Sequence, residues 1–399
     1  MRNRALFRSS AAFAILIALA IIFPQAIAAE VAARPAFQVD VAHPTKDKPQ
    51  SKLWFAQGAW WAWLPVKGGS SVWKRSGDGW QRQTHLDAAL QGLPGQADVW
   101  AEEDTATAVL VQPDGLAVLQ LRWAKATQRY ELAAAPATLQ MPSLQVAEGG
   151  IETATIARDT KGRWWIAYNW QREIFVRHST ANAVGNWSEP IAVSNAKAAA
   201  DDICTIVALR GSVAVLWSDQ DHDAVYFRQH QDEDSPQSWK PIQIAANGGK
   251  TADDHLNAAV AEDGTLYLAT KNSVDQLDQP QLVLRVRDPK GTWTNTPYAP
   301  RTKAGEPSRP IVLLDSGSKR RFLLHTLYRK DGTDPRRDVI VWQTSDRQRI
   351  DLGSTPTVLL DSGTRPNDVT GAKAALPAGQ PWIVLASDKD GRVFEAQLN

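Results

Sequence analysis

Apolar residues along this chain come in short runs separated by turn residues, and past the N-terminus no run is long enough for a typical helix. Residues 152–193 show the pattern most fully. A charged head is followed by an apolar run, a Thr160-Lys161-Gly162 turn, a second run rich in Trp and Ile, a Gln171-Arg172 break, a third run ending at Arg177, and a closing Trp187. Short runs of Trp, Ile, Val and Tyr predict strands, and breaks of two or three residues predict hairpins. One such unit is a four-stranded antiparallel meander.

The unit recurs along the chain. The closing tryptophans Trp187, Trp239 and Trp293 lie about 52 and about 54 residues apart, and Trp80 precedes Trp187 by about 107, or two periods. A four-stranded repeat of this length is the signature of a propeller blade. Heads near Lys52, Asp98, Glu152, Asp202, Asp254, Arg309 and Asp368 mark about seven units. The predicted fold is therefore all-β, a single β-propeller of four-stranded antiparallel blades, seven in number with six as the alternative. The last unit lacks an outer strand, and the segment before Lys52 is expected to supply it and close the ring.

The first residues carry Arg2, Arg4 and Arg8, an apolar segment over 11–23, and the small-x-small site Ala26-Ile27-Ala28. This predicts a signal peptide over 1–28, then a linker or N-terminal strap over 29–50 and the propeller over 51–399. The apolar segment falls short of the roughly 20 residues a membrane span needs, so the expectation is a periplasmic or secreted protein with no membrane span after cleavage. Removing the three arginines moves the net charge from +1 to about −2, which makes nucleic acid an unsuitable partner. Cys204 is the single cysteine and is expected to be a small buried core residue.

In a propeller the first strand of each blade lines the central channel, which would gather the seven heads into a ring at its mouth. Five are acids: Asp98, Glu152, Asp202, Asp254 and Asp368. Two are bases, Lys52 and Arg309. Two carboxylates about 10 Å apart repel by roughly 1 to 2 kcal/mol at an effective dielectric of about 20, so such a ring demands a cation, its two bases, or protons. All seven are ligand-binding candidates. Asp202 and Asp254 are the metal candidates for a divalent cation such as calcium. Glu152, Asp202, Asp254 and His255 are the candidates for acid and base chemistry. The alternative is that polar heads merely solvate strand starts.

Two connections between second and third strands are long, 271–281 and 328–337, whereas the turns on the opposite face are short. Function is expected on the long-loop face. His255 and His325, with Tyr328 and a nearby Arg or Lys, would suit a polysaccharide lyase, the cation neutralising a uronate carboxylate while the bases move protons. Most of the 17 tryptophans are expected to pack between blades. Trp63 and Trp170, near the loop ends of their strands, are the better candidates for ligand contact.

The fragment 213–245 (VAVLWSDQDHDAVYFRQHQDEDSPQSWKPIQIA) resembles the repeat of the sialidase-like propellers, whose blades carry an Asp-box (BNR) turn, S-x-D-x-G-x-x-W. Degenerate boxes occur at Ser76-Gly77-Asp78-Gly79-Trp80, at 288–293 and at 179–187. The resemblance covers most of the chain and implies a propeller whose boxes are blade turns without a catalytic role. Sialidases also hold the substrate carboxylate with three arginines, and here only Arg309 occupies a ring position, which argues against sialidase activity. No phosphate loop, Cys/His metal spacing or G-x-S-x-G elbow is present. The preferred reading is a sialidase-like propeller that binds a glycan at the channel mouth. The alternatives are a glycoside hydrolase or polysaccharide lyase using ring carboxylates, and a noncatalytic propeller with a protein partner.

Overall fold

The computed structural model describes residues 32–47, 49–141, 150–180, 183–329, 338–348, 352, 355–376 and 379–398. The predicted signal segment lies outside them, as does most of the 328–337 loop. Among the described residues, the only helix is a single short turn at Asp87–Leu90 with a 3₁₀ turn before it, and no helix is long and apolar enough to cross a membrane.

Seven antiparallel sheets form a seven-bladed propeller. In chain order the blades span 53–82, 97–140, 154–192, 204–247, 256–300, 305–360 and 367–398. Each runs from an inner first strand outward by hairpins, and the fourth strand of blade two is split into Arg129–Leu132 and Ala137–Gln140. Blade seven takes its outer strand from the N-terminal side: Arg34–Gln38 pairs antiparallel with Arg392–Leu398. The expected closure of the ring is thus observed, and Leu53 also bridges to Ala372 between blades one and seven.

The hairpins follow from local chemistry. Gln171 and Arg172, between the second and third strands of blade three, both adopt left-handed φ values of 50° and 66°, the combination a two-residue hairpin needs to match strand twist. Asp159 builds the other turn of that blade: its Oδ1 accepts from the backbone N–H groups of Lys161 and Arg163 at 3.0 and 2.8 Å, and its Oδ2 accepts from Arg163 Nε at 2.7 Å. Asp388 does the same for Asp390 and Arg392 in blade seven.

The core lies between blades. Trp54, Trp61 and Trp63 of blade one pack against Leu110, Leu121 and Tyr130 of blade two, and Tyr130 meets Trp61 edge-on at 4.9 Å. Tyr130 therefore does the packing that a closing Trp does in other blades. Each aromatic buried this way contributes roughly 2 to 3 kcal/mol of transfer free energy. Cys204 is buried in the same manner between blades three and four.

Candidate functional site

First strands begin, and second-to-third strand loops lie, on one face of the ring, so the heads can be traced there one by one. They do not form a single open ring. Lys52 is fully buried, with its Nζ donating to Gln50 Oε1 at 3.1 Å, and burial pulls its pKa down to about 8. Asp98 is also fully buried: Oδ1 accepts from Ser51 N at 2.8 Å, Oδ2 accepts from Ile156 N at 2.7 Å, and Lys373 Nζ is bonded to Oδ2. Gln50 reaches across to Ala154 O at 2.8 Å. Near the axis, then, the 49–52 segment and Lys373 engage the heads with the chain itself. Farther along the axis is a cavity of about 170 Å³ lined by Trp100, Val207, Ala258 and Lys373.

Asp202 is a loop brace. Its carboxylate accepts from Ala199 N and Gln220 N at 2.8 Å each, from Ser218 Oγ at 2.9 Å and from Gln220 Nε2 at 3.1 Å. Burial raises its pKa, against the pull of those hydrogen bonds. Among the described residues, the group whose ligand atoms come together around Asp254 is Asp253, Asp254 and His255, without Asp202. Glu152 is exposed, and its backbone N–H donates to Asn169 Oδ1 at 3.2 Å. Trp63 is wholly buried between blades one and two and presents no face to a ligand, whereas Trp170 is partly exposed beside Phe175.

The remaining candidates come together. Asp254, His255, Arg309, Asp368 and Tyr328 form one continuous cluster across blades five, six and seven. His255 is buried, its Nδ1 lies 2.5 Å from Asp253 Oδ1, and Asp254 Oδ1 also reaches that nitrogen. On its other side His255 Nε2 is 3.3 Å from Ser308 Oγ. Arg309 Nη1 is 3.5 Å from the same hydroxyl, its guanidinium carbon lies 5.3 Å from the centre of the Tyr328 ring, and its Nε lies 3.2 Å from Asp368 Oδ1. The pairing of Gly305–Leu314 with the next strand slips between Ser308 and Ile311, and this bulge sets Arg309 out of the ladder with φ at 52°. The His43 backbone N–H donates to Asp388 O at 2.9 Å; burial lowers the His43 pKa against the pull of Asp368 and Asp388.

Beside this cluster opens a mainly polar cleft of about 190 Å³, lined by Asp253, Lys271, Arg301, Glu306, Ser308 and Tyr328 among others. Arg301 and Glu306 form an ion pair in its wall. Asp253 Oδ2 accepts from Lys271 Nζ at 2.7 Å and from Ser273 Oγ at 3.1 Å. Asp253, Asp254 and His255 could each turn one donor atom toward a common point, the three atoms lying within 4.8 Å of one another. The Lys271 ammonium already holds a positive charge against Asp253, so the residues present fit a cation there poorly.

The sequence pattern points to Asp254, His255, Arg309, Asp368 and Tyr328 but not to Asp253, Ser308, Arg301 or Glu306. Asp253 and Ser308 each adjoin a strand head, and Lys271 and Ser273 lie in the long 271–281 connection of blade five. The signal for them was proximity along the chain.

No family model matches this chain, and no curated protein matches it. Solved structures do. It is similar to a protein of unknown function from Dyadobacter fermentans (10% identity, TM-score 0.49, covering 92% of this chain and 97% of that one). It is also similar to an α-L-arabinanase from Penicillium chrysogenum complexed with arabinobiose (12%, 0.46, 79% and 99%). A third is the sialidase of Trypanosoma rangeli (8%, 0.45, 75% and 58%). The seven-bladed ring rests on its own strand pairing, and the site on its own geometry.

Proposed function

We propose that this protein is an exported, periplasmic or secreted propeller that binds a glycan in the cleft between blades five and six. The observation that carries the reading is the cleft wall itself: an aromatic ring, Tyr328, stands among the paired charged groups Asp253 with Lys271 and Glu306 with Arg301. Sugar hydroxyls both donate and accept, and vicinal pairs match planar carboxylate and guanidinium groups, while the ring's C–H face suits an aromatic surface. The near balance of charge in the wall favours a neutral or weakly acidic chain over a strongly anionic one. The signal-like N-terminus supports export, and the degenerate Asp boxes support kinship with the sialidase-like propellers. In the box at 288–293 Asp288 Oδ1 accepts from Thr292 N at 2.8 Å, which makes it a blade turn.

The test is retention of the mature protein on a panel of neutral and acidic polysaccharides, with Tyr328→Ala beside the wild type. Retention of the wild type on at least one polysaccharide, weakened about tenfold or more in the variant, is the expected result. No retention of the wild type on any member overturns the reading.

A further inference from the structure

The cleft holds a set of groups that binding does not require. Ser308, His255 and Asp253 stand in series: Ser308 Oγ to His255 Nε2 at 3.3 Å, and His255 Nδ1 to Asp253 Oδ1 at 2.5 Å. They come from two blades, 53 residues apart between His255 and Ser308, so the arrangement is made by the fold and not by local sequence. Two carboxylates at Nδ1 fix the proton on that nitrogen and leave the Nε2 lone pair facing the hydroxyl, which is the tautomer a general base needs. Asp253 is held in turn by Lys271 and Ser273, so the imidazole's orientation is set from behind. Ser308 borders the cleft with about 1% of its surface exposed.

We infer that Ser308, His255 and Asp253 form a nucleophilic triad that hydrolyses O-acyl esters, and, resting on the glycan reading above, esters carried on sugar hydroxyls. Ser308 and His255 are the catalytic residues, and Asp253 is the positioning residue. Ser308 Oγ adds to the acyl carbonyl carbon as its proton passes to His255 Nε2. Collapse of the tetrahedral adduct breaks the bond from that carbon to the sugar oxygen, which leaves with the same proton as a free hydroxyl. Water then adds to the acyl-serine, His255 again takes the proton, and collapse releases the carboxylic acid and restores Ser308. The guanidinium of Arg309, 3.5 Å from Ser308 Oγ, is the group placed to meet the negative charge that develops on the acyl oxygen.

The test treats the mature wild-type protein with a fluorophosphonate, which loses fluoride as it phosphonylates an activated serine, and maps the modified peptide by mass spectrometry. Hydrolysis of 4-nitrophenyl acetate is followed in the wild type, Ser308→Ala and Asp253→Asn. A single adduct on Ser308, with turnover lowered about 100-fold or more in Ser308→Ala, is the expected result. No adduct on the wild type, an adduct elsewhere, or turnover equal in wild type and a folded Ser308→Ala overturns the triad. The adduct map needs no variant, so a misfolded variant leaves the test intact. An adduct on a protein retained by no polysaccharide upholds the triad and removes its sugar substrate; retention without an adduct upholds the glycan reading and removes the triad.

Discussion

Arg309 and Asp368 face each other across the boundary of blades six and seven, Nε to Oδ1 at 3.2 Å, and both adopt left-handed backbone, with φ at 52° and 45°. The two atoms are within ion-pair distance yet make no aligned hydrogen bond, so charge rather than hydrogen-bond geometry holds the pair. Asp368 is nearly buried, with 6% of its side chain exposed. Arg309→Ala therefore strands a buried carboxylate and is expected to cost about 1 to 3 kcal/mol in urea unfolding. Arg309→Gly loses the same cation but relaxes the left-handed φ, so it should be the more stable of the two by up to about 1 kcal/mol. Equal stability of both variants with the wild type would show that the pair holds nothing together.

Glu395 is the clasp of the ring. Its carboxylate takes two hydrogen bonds from Arg75, at 2.7 and 3.0 Å, one from Trp80 Nε1 at 2.7 Å and one from Arg34 at 3.0 Å. One side chain thereby ties blade seven to blade one and to the N-terminal strand, which also stacks Phe37 on Trp73 at 4.1 Å. Burial alone would raise the Glu395 pKa; the hydrogen bonds from Arg75 and Arg34 more than offset it and hold the carboxyl below its usual range. A carboxyl depressed in the folded state adds stability above its unfolded pKa and loses it as pH falls through the folded one. Glu395→Gln is expected to cost roughly 2 to 4 kcal/mol at pH 7, the upper figure discounted because Arg34 is half exposed, with a smaller penalty below about pH 4. Urea titrations at both pH values check it, and a penalty that does not shrink in acid would rule out the ion pairs as its source.

The blades were legible because each needs the same local devices: a tight turn at Gln171-Arg172, an Asp-based turn such as that of Asp159, and a large aromatic to fill the gap to the next blade. These are set by residues close in sequence. The closing strand was legible for a different reason, since the last unit shows three strand-like runs where the others show four. The site was only half legible. Arg309 and Asp368 lie inside their first strands rather than before them, and the bulge after Ser308 decides where Arg309 points. Nothing in a periodic pattern announces a bulge. Trp63 and Trp170 looked alike, yet one fills the gap between two blades and the other lies at a partly open edge. The contact of His255 with Ser308 spans a blade boundary, and only the assembled ring brings the two together.

His325 carries the pH dependence that the fold builds into its interior. It lies on the second strand of blade six, fully buried, with Nδ1 lacking a hydrogen bond and its ring against Tyr298 at 6.2 Å. Burial pushes its pKa down to about 4, because a charged imidazole would have to be solvated by an apolar interior. The unfolded chain takes up the proton near its ordinary value of about 6.5, so between about pH 6.5 and 4 it binds more protons than the native protein, and stability falls as pH falls through that window. A shift of this size corresponds to about 3 kcal/mol lost across the window. His43 and His230, both lowered by burial, act in the same direction. His325→Leu removes the proton-binding group while keeping most of its volume, and should flatten the loss between pH 7 and pH 4.5 by about 2 kcal/mol in urea midpoints. If wild type and variant lose the same stability over that interval, the acid sensitivity resides in other groups and the imidazole of His325 is reached by water.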